Sequence, residues 1–403
     1  MKKILTLMTV LAAALFQDCF GLTEKERKFA TANNDFAFGL LKTIPSYGSK
    51  NVFFSPYSLS AALGMTYLGA REATQLQLSK VLGYANYGLH PPDVEELFAM
   101  QTSRLQGEAA QVGLDMANGL AVQEDFRILE TYYAAVNRSF NAHLFGLDFA
   151  QNGQQAVDTI NAWVKQATHD KVEKLFEEPL DTDTRLVLLN AIVFKGLWEI
   201  QFKRELTTKR QFYNGGGDRT EVDLMNLLVK TNYVLDASLQ AHVVELPYRG
   251  VDYSMVIMLP VSDRNSLQAL KEFLTFASFD AVISSLRNTT IDFYLPKFDL
   301  ESQMNLRSDL IKLGLKNIFD EPFSYTDLSG ITGTTDLVVS DVVQRAVLKV
   351  DEDGAEVADG SGVNVISRGE VEPPTVIVNR PFLFFIRNRS TKEIFFAGEV
   401  NKL

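Results

Sequence analysis

The chain has a single cysteine, Cys19, among 403 residues. That residue lies inside residues 1–21, where Lys2 and Lys3 precede an apolar run from Ile4 to Phe16 and the stretch ends at the small Gly21. This pattern reads as a secretory signal peptide, too short to span a bilayer. The mature chain is therefore expected to be extracellular and to hold no disulfide and no thiol, which excludes cysteine catalysis and thiolate metal sites. No later run reaches the roughly 18 uncharged apolar residues of a membrane helix, so no membrane association is expected. Histidine is also scarce. His90, His143, His169 and His242 lack metal-ligand spacing, so no metal and no cofactor is expected. HExxH, GxSxG, CxxC and the phosphate-binding GxxxxGK[ST] are all missing, and the triple glycine at 215–217 reads as a turn. A carboxylate pair for glycoside hydrolysis is not legible from sequence order. These absences argue against an enzyme. Positive charge is the last shortage: 39 Lys+Arg against 50 Asp+Glu give a net charge of −11. Loss of Lys2, Lys3 and Asp18 with the signal leaves the acidic excess in place. With no dense basic cluster, no nucleic acid partner is expected and heparin-like polyanions are poor partners.

What remains is ordinary globular composition, 46% hydrophobic and 22% charged. Length alone would allow two or three domains, but no Gly/Ser/Pro-rich linker divides the chain, and residues 22–403 read as one domain. A domain of that size can bury enough apolar surface to dispense with covalent staples. Helical periodicity dominates the first part. ERKFATANNDFAFGLLKTI places Phe29, Phe36, Leu40 and Leu41 about one turn apart, and Ser55-Pro56 starts a second helix with a capping serine and a first-turn proline. DTINAWVKQAT reads as another. From about residue 185 the texture changes to short β-branched and aromatic runs bounded by turn residues, among them RLVLLNAIVFKG, HVVELPYR, YSMVIMLP and FLFFIRN. SLQALKEFLTFASFDAVISSL and MNLRSDLIKLGLKNIF each read as one helix between them. Helices first and strands later, with little βα alternation, indicate an α+β fold. Sequons at Asn137, Asn288 and Asn388 are candidate N-glycosylation sites if exposed.

One stretch fits neither texture. Residues 350–376, VDEDGAEVADGSGVNVISRGEVEPPTV, join two apparent strands through mostly small or acidic residues and one arginine, Arg368. Loops longer than about 12–15 residues without structure of their own are usually functional or disordered.

Five segments resemble the serpin family: NVFFSPYSLSAALGMTYLGAREATQLQL (51–78), INAWVKQATHDKVEKLF (160–176), LLNAIVFKGLWEIQF (188–202), VDEDGAEVADG (350–360) and NRPFLFFIRNRSTKEIFFAGEV (379–400). They occur in family order across nearly the whole mature chain. The resemblance implies a serpin fold of three β-sheets and roughly nine helices with an exposed reactive-centre loop at 350–374. It also implies a suicide mechanism in which a serine protease cleaves that loop, is acylated, and is carried along as the loop inserts into the central sheet. It places the hinge at Glu352, Asp353, Gly354, Ala355, Glu356, Val357, Ala358 and Asp359, and the cleaved bond at Arg368-Gly369. An arginine there suits a trypsin-like protease, whose pocket aspartate pairs with guanidinium. Arg368 as a mere solvated loop residue is the plain alternative, and Glu370 is the alternative cleavage residue if the segment beyond is counted back from Pro381. The expected partner is thus a trypsin-like serine protease in a covalent acyl complex with a monomer.

Alternate residues of an inserting strand face the core. From Ala355 the inward set is Ala355, Val357, Asp359, Ser361, Val363 and Val365. All but Asp359 suit burial, and Gly360 adds an entropic cost. Ser55, Ser58, Asn190 and Gln344 fall where the family builds a polar network beneath the central sheet, though ordinary satisfaction of buried polar groups is a sufficient reason for them. Many serpins place a histidine where Gln344 stands; glutamine preserves donor and acceptor but removes a proton switch. Asp359, Gly360 and Gln344 keep open a non-inhibitory serpin, a carrier, storage protein or protease substrate.

Overall fold

The computed structural model describes residues 21–46, 50–250, 252–262, 266–319, 325–353 and 372–403. Residues 1–20, the hinge positions Gly354–Asp359, Arg368, Gly369 and Glu370 lie outside them. The strands, in chain order, are β1 Val52–Phe54, β2 Leu114–Gln123, β3 His143–Leu147, β4 Leu186–Phe194, β5 Thr208–Tyr213, β6 Arg219–Asp236 and β7 Ala241–Pro247. They continue as β8 Tyr253–Pro260, β9 Arg287–Pro296, β10 Phe298–Asn305, β11 Val339–Val350, β12 Thr375–Ile377, β13 Phe382–Asn388 and β14 Ile394–Val400. Eleven α-helices accompany them among the described residues.

Local chemistry sets the helix ends. Thr23 and Glu26 form a reciprocal capping box at the start of Glu24–Thr43, which satisfies donors that a helix terminus leaves open. Ser55 caps Pro56–Gly69 by accepting from Ser58 N at 3.2 Å. That helix is apolar on nearly every side, so it runs through the interior, packed against β2, β4 and β14. Two expected helices are modified. The segment 266–285 is two helices, Ser266–Phe273 and Phe276–Ser285, because Thr275 and Ser278 form a second capping box at the break. The helix expected over MNLRSDLIKLGLKNIF is only Arg307–Lys312; Met304 and Asn305 belong to β10, and Gly314 follows at φ +107°.

Five strands form one sheet in the order β10-β11-β4-β2-β3, and nine form the other. The fold is the expected α+β arrangement. Two of the three expected sheets are continuous, because the 18-residue β6 pairs with β5 through its first part, with β9 through its middle and with β7 through its last part. In the five-stranded sheet β11 and β4 are parallel neighbours, with Gln344 opposite Asn190. The aromatic core lies between the sheets, where Phe384 and Phe396 are both fully buried; each such side chain contributes about 1.5–3 kcal/mol relative to exposure. Gly398 is required there, since a Cβ would stand 2.2 Å from the Phe384 ring.

Candidate functional site

Two clusters flank the point where the chain leaves β11. The first lies under the sheet. Ser55, Ser58, Asn190 and Gln344 are brought together and are all at most 1% exposed. Gln344 Oε1 accepts from Ser55 N at 2.8 Å. Its Nε2 faces Asn190 Oδ1 at 2.7 Å, Ser58 Oγ at 3.0 Å and Ser55 O at 3.1 Å. Ser58 Oγ donates to Asn190 Oδ1 at 2.8 Å, and Ser55 Oγ donates to the Phe395 carbonyl at 2.6 Å. Sequence reasoning missed a fifth member. Asn118 on β2 stands opposite Asn190, 4% exposed, and accepts from Asn190 Nδ2 at 2.7 Å. Asn118, Asn190 and Gln344 therefore form a polar row across three adjacent strands. The asparagine signal was in MANGL, a polar residue flanked by apolar and small ones. Each unsatisfied member would cost about 1–3 kcal/mol in this dry setting, so the row fixes both register and spacing.

The second cluster holds the first loop residues. Trp198 Nε1 donates to the Asp351 carbonyl at 2.9 Å while its ring stacks on Tyr248 at 4.7 Å. Phe202 N donates to the Glu352 carbonyl at 3.1 Å. The Glu352 carboxylate, 4% exposed as a residue, accepts from Thr207 Oγ1 at 2.8 Å and pairs with Lys297 at 2.8 Å. Burial opposes ionisation of Glu352, but the hydrogen bonds from Lys297, its own backbone and Thr207 outweigh it and hold the carboxyl below the usual range. The same contact raises the Lys297 pKa. Asp353 pairs with Arg204, and its carbonyl accepts from Gln201 Nε2 at 3.2 Å. Beyond the loop, the Pro374 carbonyl accepts from Asp292 N at 3.0 Å and β12 pairs parallel to β9. Of the hinge positions, only Glu352 and Asp353 are described.

The candidate glycan sites divide. Asn137 and Asn288 are exposed. Asn388 is corrected: it is 4% exposed, lies in β13, and its Oδ1 accepts from Thr391 N at 2.8 Å, so the folded side chain offers no room for a glycan. Among the described residues no cluster of His, Cys, Asp or Glu is arranged to hold a metal, and no helix is long and apolar enough to cross a membrane.

Residues 31–403 match the model of the family described as serpin (serine protease inhibitor), and the chain belongs to that family. It is 46% identical over 397 residues to Iripin-2 of Ixodes ricinus, covering 98% of this chain and 99% of that one. It is 36% identical to intracellular coagulation inhibitor 2 of Tachypleus tridentatus, over 93% and 90% of the two chains. Its structure resembles that of mouse protein-Z dependent protease inhibitor, with a TM-score of 0.84 and 27% identity over 94% and 100% of the chains.

Proposed function

We propose that residues 22–403 form a secreted, monomeric inhibitor of trypsin-like serine proteases, preceded by a signal peptide at 1–21 and acting as a suicide substrate cleaved at Arg368-Gly369. The observation that carries this reading is the parallel β4–β11 pair, with the loop leaving β11 directly beside it. A chain that turns back after Val350 runs antiparallel to both neighbours, and two antiparallel ladders replace one parallel ladder when it enters. Entry requires that Gln344 part from Asn190 and that Glu352 and Asp353 leave their partners. Ala355, Val357, Val363 and Val365 would then be buried, at roughly 1–3 kcal/mol each for alanine- to valine-sized groups. Asp359 opposes this, since an unpaired buried carboxylate costs several kcal/mol. Net insertion is downhill, but Asp359 slows it and diverts some molecules to simple cleavage. Gln344 does not favour the carrier alternative, because it satisfies the network it joins. Asn137 and Asn288 are the sites at which glycans are expected.

The test mixes the protein with trypsin under conditions that resolve covalent adducts. A band that survives boiling in detergent, and is lost in Arg368→Ala, supports the reading; cleaved chain alone overturns it.

A further inference from the structure

Outside both clusters, one buried acid has no cation of its own among the described residues. Glu393 precedes β14 and is 2% exposed. Its Oε1 accepts from Asn33 Nδ2 at 2.8 Å on the helix Glu24–Thr43, and its Oε2 from Gln101 Nε2 at 2.6 Å on the helix Pro91–Val112. The positive charge that acts on it, Arg104, is partly exposed and paired with Glu26 at 3.1 Å. The phenols of Tyr57 and Tyr84, from two further helices, also face the acid, and both are raised well above their ordinary pKa by burial and by its charge. Burial pushes the Glu393 carboxyl up to about 7, against the opposing hydrogen bonds of Asn33 and Gln101 and the charge of Arg104.

The amide groups around it are arranged for two protonation states. Asn33 Oδ1, Gln101 Oε1 and Tyr84 OH are buried and have no partner while the acid only accepts. A half-turn of either amide brings an unpartnered oxygen to the acid proton. The ionised acid uses two N–H donors, and the neutral acid donates O–H to one amide oxygen. The site also adjoins the network under the sheet, through Ser55. Asn34 clamps the same segment, donating to the Lys392 carbonyl at 2.9 Å and accepting from Ile394 N at 2.9 Å. Two residues past Glu393, the Phe395 carbonyl takes the Ser55 hydroxyl at 2.6 Å, and its ring stacks on Tyr57 at 4.4 Å.

We propose that Glu393 is a proton-binding switch that ties the start of β14 to two helices by alternative hydrogen-bond patterns, and that its ionisation loosens the Ser55–Gln344 network. This goes beyond the inhibitor reading and does not depend on it. The sign follows from linkage. The folded acid keeps a proton that an unfolded glutamate has released, so stability falls as pH rises from about 4.5 to about 7 and the loss is complete above that.

The experiment is infrared titration of the full chain with Glu393→Gln as reference. A protonated-carboxyl band that disappears with a midpoint near neutrality, and is missing in the variant, is expected; a midpoint below about 5 overturns the proposal. Should Glu393→Gln fail to fold, Asn33→Leu removes one donor to the carboxylate, and the midpoint then rises by about one unit; an unmoved midpoint overturns the proposal equally. Amide exchange in β4 and β11, corrected for intrinsic rates, reads the coupling. Protection falls about tenfold from pH 6 to pH 8 in the native chain and stays level in Glu393→Gln. Equal slopes in the two proteins overturn the link to the network.

Discussion

Gln344 and Asn190 meet at 2.7 Å across the parallel strands β11 and β4, at the seam into which the loop is proposed to insert. The contact closes the sheet in its five-stranded form, and it breaks if the strands separate. The seam is held by side chains as well as by backbone, so its strength can be altered without touching the loop.

Asn190→Leu fills the same space but leaves Asn118, Ser58 and Gln344 each short of a partner. The expected loss is about 3 kcal/mol, read from denaturant midpoints at unchanged m-value. A loss under about 1 kcal/mol would mean that the row is replaceable by packing.

Glu352→Gln keeps the shape of the hinge anchor and removes its charge. A charge-assisted hydrogen bond to a partly exposed lysine is worth about 1–2 kcal/mol at neutral pH. The folded Glu352 pKa lies below its ordinary 4.5, so this contribution is present above the unfolded value and is lost as pH falls through the folded one. Melting curves of the two proteins should separate at pH 7 and converge as pH falls below the folded Glu352 pKa, which lies under 4.5.

Gly398→Ala tests the close approach of β14 to β13. The added methyl meets the Phe384 ring at 2.2 Å, and overpacking of this kind costs about 1–3 kcal/mol. Thermal melting of the variant should show it, and Phe384→Leu in the same chain should recover part of the loss.

Asp359→Ala removes the one residue of the proposed inward set that is unsuited to burial. The number of inhibitor molecules consumed per trapped trypsin should fall toward one. An unchanged ratio would show that Asp359 does not limit the rate at which the protease is trapped.

Much of this was legible in the sequence because it is local. Ser55-Pro56 announced a helix start and β-branched runs announced strands. The four polar residues under the sheet were legible only through family resemblance, since no spacing joins Ser55 to Gln344. Asn118 shows the limit: it is one asparagine among many until strand order places it beside Asn190. Lys297 and Arg204 were hidden similarly, because their partners Glu352 and Asp353 lie far along the chain and ion pairs leave no periodic trace. Glu393 sits in a turn-like RSTKE segment that reads as solvated, and only the packing of two distant helices buries it. Asn388 went the other way, a sequon whose motif is local and whose burial is not.

The two ends of the loop are moored differently. Upstream, Asp351 to Asp353 hang from side chains and single carbonyl contacts that can be exchanged one at a time. Downstream, β12 is stitched into β9 by strand pairing. Under the proposed mechanism, a cut between them would free only the upstream piece to travel while the downstream stub stays berthed, so the direction of movement would be set by these fixings rather than by the site of the cut.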